Sequence, residues 1–371
     1  MDAMKTLGIY IHIPFCKSKC AYCDFYSLAR GEGHMDDYCA ALSASLRASA
    51  EKAAGYSVDT VYFGGGTPTA LGAKRLAALL DVVTACYPVA ADAEITAEAN
   101  PESARDAPAL RTLRAAGFNR ISLGMQSADD AELLAVGRIH TAADTVAAVE
   151  AARAAGFDNL SLDLIYGLPA QTPERWLGSL DAALALHPEH LSCYGLKVEP
   201  DTPLWARRES ADLPDDDMQA ELYLAAVERL EAHGFAQYEI SNFARPGLES
   251  RHNLKYWTLG EYLGFGPGAH SDFGGRRFAL ARDLDAFLAG RAVYSEDAAI
   301  SPHERAAERV MLGLRTAAGL DAARLAGAEG VLRQCEAHGL AVLSGGRWRL
   351  TARGYLVSNA IILQIQEALG L

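Results

Sequence analysis

Long apolar runs are missing from this chain: no stretch of its 371 residues approaches the roughly 20 apolar positions that a membrane-spanning helix needs. The opening segment MDAMKTLGIYIHIPFC is apolar in part, but it alternates as a strand does and carries no small-residue cleavage site. It reads as mature sequence, so the expected compartment is the cytoplasm, with peripheral association the remaining route to a membrane. Positive charge is also short. The 34 Lys and Arg are outnumbered by 47 Asp and Glu, leaving a formal charge of −13, which argues against a nucleic-acid partner. Cysteine is sparse and uneven. Seven is an odd number, too few for a disulfide scaffold of this length, and three of them fall within eight residues. In a reducing compartment that clustering points to metal or cluster ligation.

What is present is the composition of a folded globular chain, 50% hydrophobic and 22% charged. The length exceeds what one core usually supports, so a large domain with smaller additions is expected. Short apolar strands at Leu7–Ile13, Thr60–Phe63, Glu94–Glu98, Arg120–Leu123, Ser161–Ile165 and His190–Leu196 alternate with Ala-rich helical stretches. That alternation is the βαβ pattern of a parallel sheet. The segments RAAGFNRISLGMQ and RAAGFDNLSLDLIYG look like two passes of one βα unit. The fold class expected is α/β, a partial (β/α)6 TIM-like barrel over residues 1–200. A connecting segment follows over 201–300, then a C-terminal α+β, winged-helix-like accessory region over 301–371. Winged helices often bind DNA, but this one lacks a basic recognition face, which favours a packing role.

The sharpest chemical signal is CKSKCAYC, placing Cys16, Cys20 and Cys23 just after the first strand. Three thiolates can hold three irons of a [4Fe–4S] cube and leave the fourth iron open. A zinc knuckle is the alternative, but zinc usually takes four ligands, and His12 in an extended strand lies about 13 Å from Cys16. YFGGGTPT follows the second strand, and Gly64, Gly65 and Gly66 there suit either close approach to a ligand or a tight turn. Glu98 stands at the C-terminal edge of a strand, where barrel active sites are built. HNLKYW contributes His252 beside Asn253, Tyr256 and Trp257, either a packed histidine among aromatics or an imidazole suited to a heme iron and a porphyrin face. His270 in GPGAHS is a second, weaker candidate. Cys39, Cys86, Cys193 and Cys335 read as small buried hydrophobes.

IHIPFCKSKCAYCDF resembles the radical S-adenosylmethionine (SAM) superfamily, in the branch that contains oxygen-independent coproporphyrinogen III oxidases and heme chaperones of the HemW-like group. The resemblance implies that amino and carboxylate groups of SAM chelate the open iron, and that an electron from the cluster breaks the S–C5′ bond to release a 5′-deoxyadenosyl radical. It also implies roles by position. Tyr10 would lie near the sulfonium and cluster, and Tyr22 is the aromatic before the last cysteine. Gly65, Gly66 and Thr67 would meet the SAM amino group, and Glu98, Gln126, Arg138 and Asp163 would be further SAM contacts. HNxxYW matches the HemW-like signature, which makes His252 a candidate heme ligand.

Three departures from the coproporphyrinogen oxidase pattern point the same way. Cys23 is followed by Asp24 and Phe25 instead of a fourth cysteine, Cys16 stands only fifteen residues after Met1, and HNxxYW belongs to the chaperone group. The expected function is therefore a cluster- and SAM-binding heme chaperone that passes heme to apo-hemoproteins. The alternatives are a coproporphyrinogen III decarboxylase and a class C radical SAM methyltransferase.

Overall fold

The computed structural model describes residues 4–29 and 31–371. Six parallel strands pair in chain order: β1 (Lys5–Ile13), β2 (Tyr56–Gly65), β3 (Val89–Ala99), β4 (Arg120–Gln126), β5 (Leu160–Tyr166) and β6 (His190–Gly195). Helices α1 (Met35–Ala48), α2 (Ala73–Cys86), α3 (Ala107–Ala116), α4 (Asp130–Ala135), α5 (Ala142–Ala154) and α6 (Pro173–Ala185) return the chain between them. Local chemistry sets their ends. Thr141 and Asp144 form a reciprocal capping box on α5, Thr172 caps α6 ahead of Pro173, and Gly117 closes α3 in the left-handed region at φ 115°. Strand alternation divides the two faces. Leu7, Ile9, Ile11 and Ile13 are fully buried in the apolar core, while Tyr10 and His12 lie on the opposite, interior face of β1.

The stretch 201–300 supplies strands to both edges of this sheet. After α7 (Asp216–Ala232) come β7 (Ala236–Gln237), β8 (Asn242–Ala244), α8 (Arg251–Thr258), β9 (Tyr262–Phe265), β10 (His270–Phe273), β11 (Arg276–Leu280), α9 (Leu284–Leu288) and β12 (Tyr294–Ala299). The complete order is β12-β11-β10-β9-β1-β2-β3-β4-β5-β6-β8-β7. β9 joins β1 in parallel, from Gly8 opposite Tyr262 to Ile11 opposite Phe265. These added strands are two to six residues long, too short for a period-2 pattern to stand out in sequence.

Helix α8 closes the N-terminal end of the barrel. The Glu94 carboxylate accepts the backbone N–H groups of Arg251 (2.9 Å) and His252 (3.0 Å). Lys255 pairs with Asp59 at 2.7 Å and donates to the Thr6 hydroxyl at 3.3 Å. The helix is thus fastened to β1, β2 and β3 together. Among the described residues no helix is long and apolar enough to cross a membrane.

The C-terminal region begins with α10 (Pro302–Gly313) and continues through β13 (Leu320–Asp321), α11 (Glu329–Ala337), β14 (Ala341–Ser344), β15 (Arg347–Leu350), α12 (Ala352–Leu356) and α13 (Ser358–Leu369). Gly345 and Gly346, both with positive φ, turn β14 into β15, as a two-residue hairpin requires. This is the helix-and-hairpin wing read from the sequence. Its anchor is Asp272 on β10, whose carboxylate receives both Arg305 guanidinium nitrogens at 2.7 Å and Arg277 at 2.9 Å. Burial pushes the Asp272 carboxyl up, but the two arginines more than offset this and hold it below the usual range. Asp272→Ala removes the carboxylate that the two arginines share and leaves Glu308 as their remaining acid. The expected loss is about 2 kcal/mol of stability, read as a lower urea midpoint than wild type. An unchanged midpoint contradicts this anchoring role.

Candidate functional site

Beyond β1 the chain makes a short parallel ladder, Phe15–Cys16 against Leu28–Ala29, and the loop between carries the three clustered cysteines. The Gly-rich turn after β2 is pressed against this loop. The Gly66 N–H donates to the Ile13 carbonyl at 2.8 Å and the Thr67 N–H to the Phe15 carbonyl at 2.7 Å. A Cβ on Gly66 would stand 2.7 Å from the Phe15 oxygen and 3.0 Å from the Cys16 sulfur. Only glycine fits there, which decides between close approach and a mere turn.

A polar chain ties the cysteine loop to the strand ends. Thr67 donates to Cys16 Sγ at 3.5 Å, Asn100 to Thr67 at 2.9 Å, and Arg138 to Asn100 at 2.7 Å and to Cys20 Sγ at 3.4 Å. Arg138 also donates to the Gly124 carbonyl at 2.8 Å. All seven cysteines are free thiols, and the three of the loop open onto one cavity of about 600 Å³ at the C-terminal end of the barrel. Among the described residues no group of three or more His, Cys, Asp and Glu gathers around a single-ion site. His12 is no fourth zinc ligand, since its Nδ1 pairs with the Tyr10 hydroxyl (3.0 Å) and its Nε2 with the Tyr26 carbonyl (2.8 Å). Three sulfurs rimming a cavity, two of them already receiving hydrogen bonds, fit a cluster held by three thiolates.

The residues singled out from the sequence converge on that cavity. Tyr22, Gly65, Gly66, Thr67, Glu98, Gln126, Arg138 and Asp163 all line it. Gln126 sits in the left-handed region at φ 63°, just after a β4 irregularity, a strain of about 1–3 kcal/mol of the kind that collects at ligand sites. Glu98 accepts the Tyr62 hydroxyl at 2.7 Å and the Gly65 N–H at 3.2 Å. Burial, together with the nearby Asp163, raises its carboxyl to about 7 in spite of those two donors. Asp163 accepts hydroxyls from Ser192 (2.6 Å) and Ser122 (3.1 Å), and burial raises it too. Burial thus pushes both carboxyls toward their neutral forms in the free protein.

Tyr10 and His252 fall elsewhere. Tyr10 stacks on Tyr62 with ring centroids 6.3 Å apart and is not part of the cavity lining. His252 is 1% exposed, with Nδ1 on the Thr60 hydroxyl (2.9 Å), Nε2 on the Tyr256 hydroxyl (2.8 Å) and its ring stacked on Tyr62 at 5.0 Å. Burial, with the charges of Lys255 and Arg120, lowers its pKa to about 3. In this arrangement neither ring nitrogen is free, and the member of HNxxYW that reaches the cavity is Asn253. His270 is exposed on β10, 3.9 Å from Glu296.

Sequence reading missed Asn100, Asn253 and Arg120 as cavity residues. Arg120 was findable, because it shares strand parity with Ser122 and Gly124, which face inward. Asn100 follows Glu98 in AEANP, but nothing in the sequence ties it to Thr67 and Arg138.

Comparison with known proteins adds the following. The model of the radical SAM superfamily matches residues 10–183, and that of the HemN C-terminal domain matches residues 300–357. Heme chaperone HemW of Mycobacterium tuberculosis is 42% identical over 96% of this chain and 94% of its own. Its Escherichia coli counterpart is 39% identical over 98% of both chains. The solved structure of Escherichia coli coproporphyrinogen III oxidase HemN, described as a radical SAM enzyme, superposes with a TM-score of 0.84 at 27% identity, covering 97% of this chain and 90% of that one.

The raised Glu98 carboxyl makes a pH prediction. In the free protein it contributes stability below about pH 4.5 that is lost as pH rises through 7. A bound ammonium or sulfonium favours the carboxylate. SAM affinity of the cluster-loaded protein is therefore expected to rise by up to about tenfold per pH unit below 7 and to level off above it. Calorimetric titration against pH measures this, and Glu98→Gln should flatten the profile. A wild-type profile already flat would remove Glu98 from the binding equilibrium.

Proposed function

The chain belongs to the radical SAM superfamily and, within it, to the heme chaperone HemW family, and from that premise we propose that it binds heme and delivers it to apo-hemoproteins. The observation that carries the reading is the pairing of similarity to HemW chaperones along nearly the whole chain with three cysteines that open onto one cavity. Cys23 is followed by Asp24 and Phe25, so the fourth cysteine of the coproporphyrinogen oxidase pattern is absent from this loop.

Cys16, Cys20 and Cys23 would hold the cluster, and Gly65, Gly66, Thr67, Glu98, Gln126, Arg138 and Asp163 would hold SAM beside it. When bound, the two cofactors supply one-electron reductive chemistry. The chain's own part is to orient and enclose. Gly66 lets the turn after β2 touch the cysteine loop, Asn100 just past β3 and Arg138 between α4 and α5 brace that loop, and the buried carboxyls meet positive charge.

His252 is the proposed heme ligand, and its surroundings set a condition on it. Iron reaches Nε2 only if the Tyr256 hydroxyl lets go, since Nδ1 is held by Thr60 on the far side. Removing the competing hydroxyl should therefore help. Heme titration of cluster-loaded protein is expected to show a Soret band that His252→Ala loses and that Tyr256→Phe reaches at roughly tenfold lower heme, the worth of about one hydrogen bond. Heme transfer to apomyoglobin should follow the same order. A Soret band identical in wild type and His252→Ala excludes this ligand, and turnover of coproporphyrinogen III with SAM and a reductant overturns the chaperone reading.

A further inference from the structure

One cation in the cavity has nothing to hold. Arg120 opens β4 with its side chain directed inward, four residues before Gly124, so it lies roughly 13 Å deeper along the strand than the rim. It is 1% exposed, its Nε has no hydrogen-bond partner, and among the described residues no carboxylate lies within ion-pair distance of it. The acids around it are committed elsewhere. Glu94 spends both oxygens on the N-terminus of α8, Glu98 is held by Tyr62 and Gly65, and Asp163 by Ser122 and Ser192. A guanidinium carries five donors in a planar fork that matches a carboxylate. Leaving it buried and unmatched is expensive, unless a ligand completes it.

We propose that Arg120 receives a carboxylate of the cargo, a heme propionate, at the floor of the barrel cavity, which Asn253 of α8 also lines. The inference rests on the heme-chaperone reading. The carboxylate of SAM is not the natural occupant. By the superfamily resemblance it is bound to iron at the cysteine loop on the rim, and Arg138 is the cation placed there, on Cys20 and Asn100. The floor is a separate anion site, reached through the same opening. HNxxYW also reaches this cavity. The His252 Nδ1 contact with Thr60 and the Glu94 contacts with the helix N-terminus hold α8 so that Asn253 lines the same cavity as Arg120.

The test compares heme with heme dimethyl ester, which lacks the charged carboxylates, on cluster-loaded wild type, Arg120→Gln and Arg120→Lys. Wild type is expected to bind heme at least tenfold more tightly than the ester. Arg120→Gln should erase that preference while SAM affinity and iron content stay at wild-type values, and Arg120→Lys should keep part of it. If Arg120→Gln does not fold, the wild-type and Arg120→Lys preferences decide. Equal binding of heme and ester by wild type overturns the proposal and leaves the chaperone reading standing. Binding of neither compound overturns both. Loss of SAM affinity in Arg120→Gln with the ester preference intact also overturns it, by assigning the floor to SAM.

Discussion

Glu94 holds the molecule's interior open at one end and shut at the other. Its two oxygens take the first N–H groups of α8, so a carboxylate on β3 caps a helix that arrives more than 150 residues later. Negative charge at a helix N-terminus is favourable, and here it also satisfies donors that would otherwise face the barrel interior. With α8 so fixed, His252 reaches Thr60 and Tyr62, Lys255 reaches Asp59, and the lower end of the barrel is sealed. Six parallel strands do not close a barrel by themselves. The seal turns an open, curled sheet into a vessel with its mouth at the cysteine loop.

Within the vessel the chemistry is graded by depth. At the rim stand thiols and the polar chain through Thr67, Asn100 and Arg138. Below them come two carboxyls that burial pushes up, level in register with the Ser122 and Ser192 hydroxyls, and deeper along β4 a guanidinium. The net charge of −13 gives no hint of this, because the acids are spread over the whole chain while Arg120 and Arg138 both turn inward.

Much of the fold was legible because its central strands are buried on both faces and so read as apolar runs set between Ala-rich helices. The cysteine loop was legible because three thiols in eight residues have few structural uses. Three features were not. The edge strands β7 to β12 are short, and their attachment to the barrel rests on two longer-range pairings, β9 with β1 and β8 with β6, which no local pattern records. Arg120 looks like a strand-end cation until the parity of β4 is known, and its solitude depends on what Glu94, Glu98 and Asp163 already hold. For His252 the motif marks a special position, but its burial follows from Thr60 and Tyr256 closing on both ring nitrogens, a matter of packing alone.

The parallel pairing of β1 with β9 bears on the order of assembly. Gly8 lies against Tyr262, so one edge of β1 stays unpaired until a strand about 250 residues later has been made. Loop-closure entropy makes such a long-range pairing late and slow. During that interval β2 alone supports β1, and α8, whose residues directly precede β9, has not yet sealed the base. The cysteine loop can therefore be reached from both ends while synthesis is under way, and only from the rim afterward.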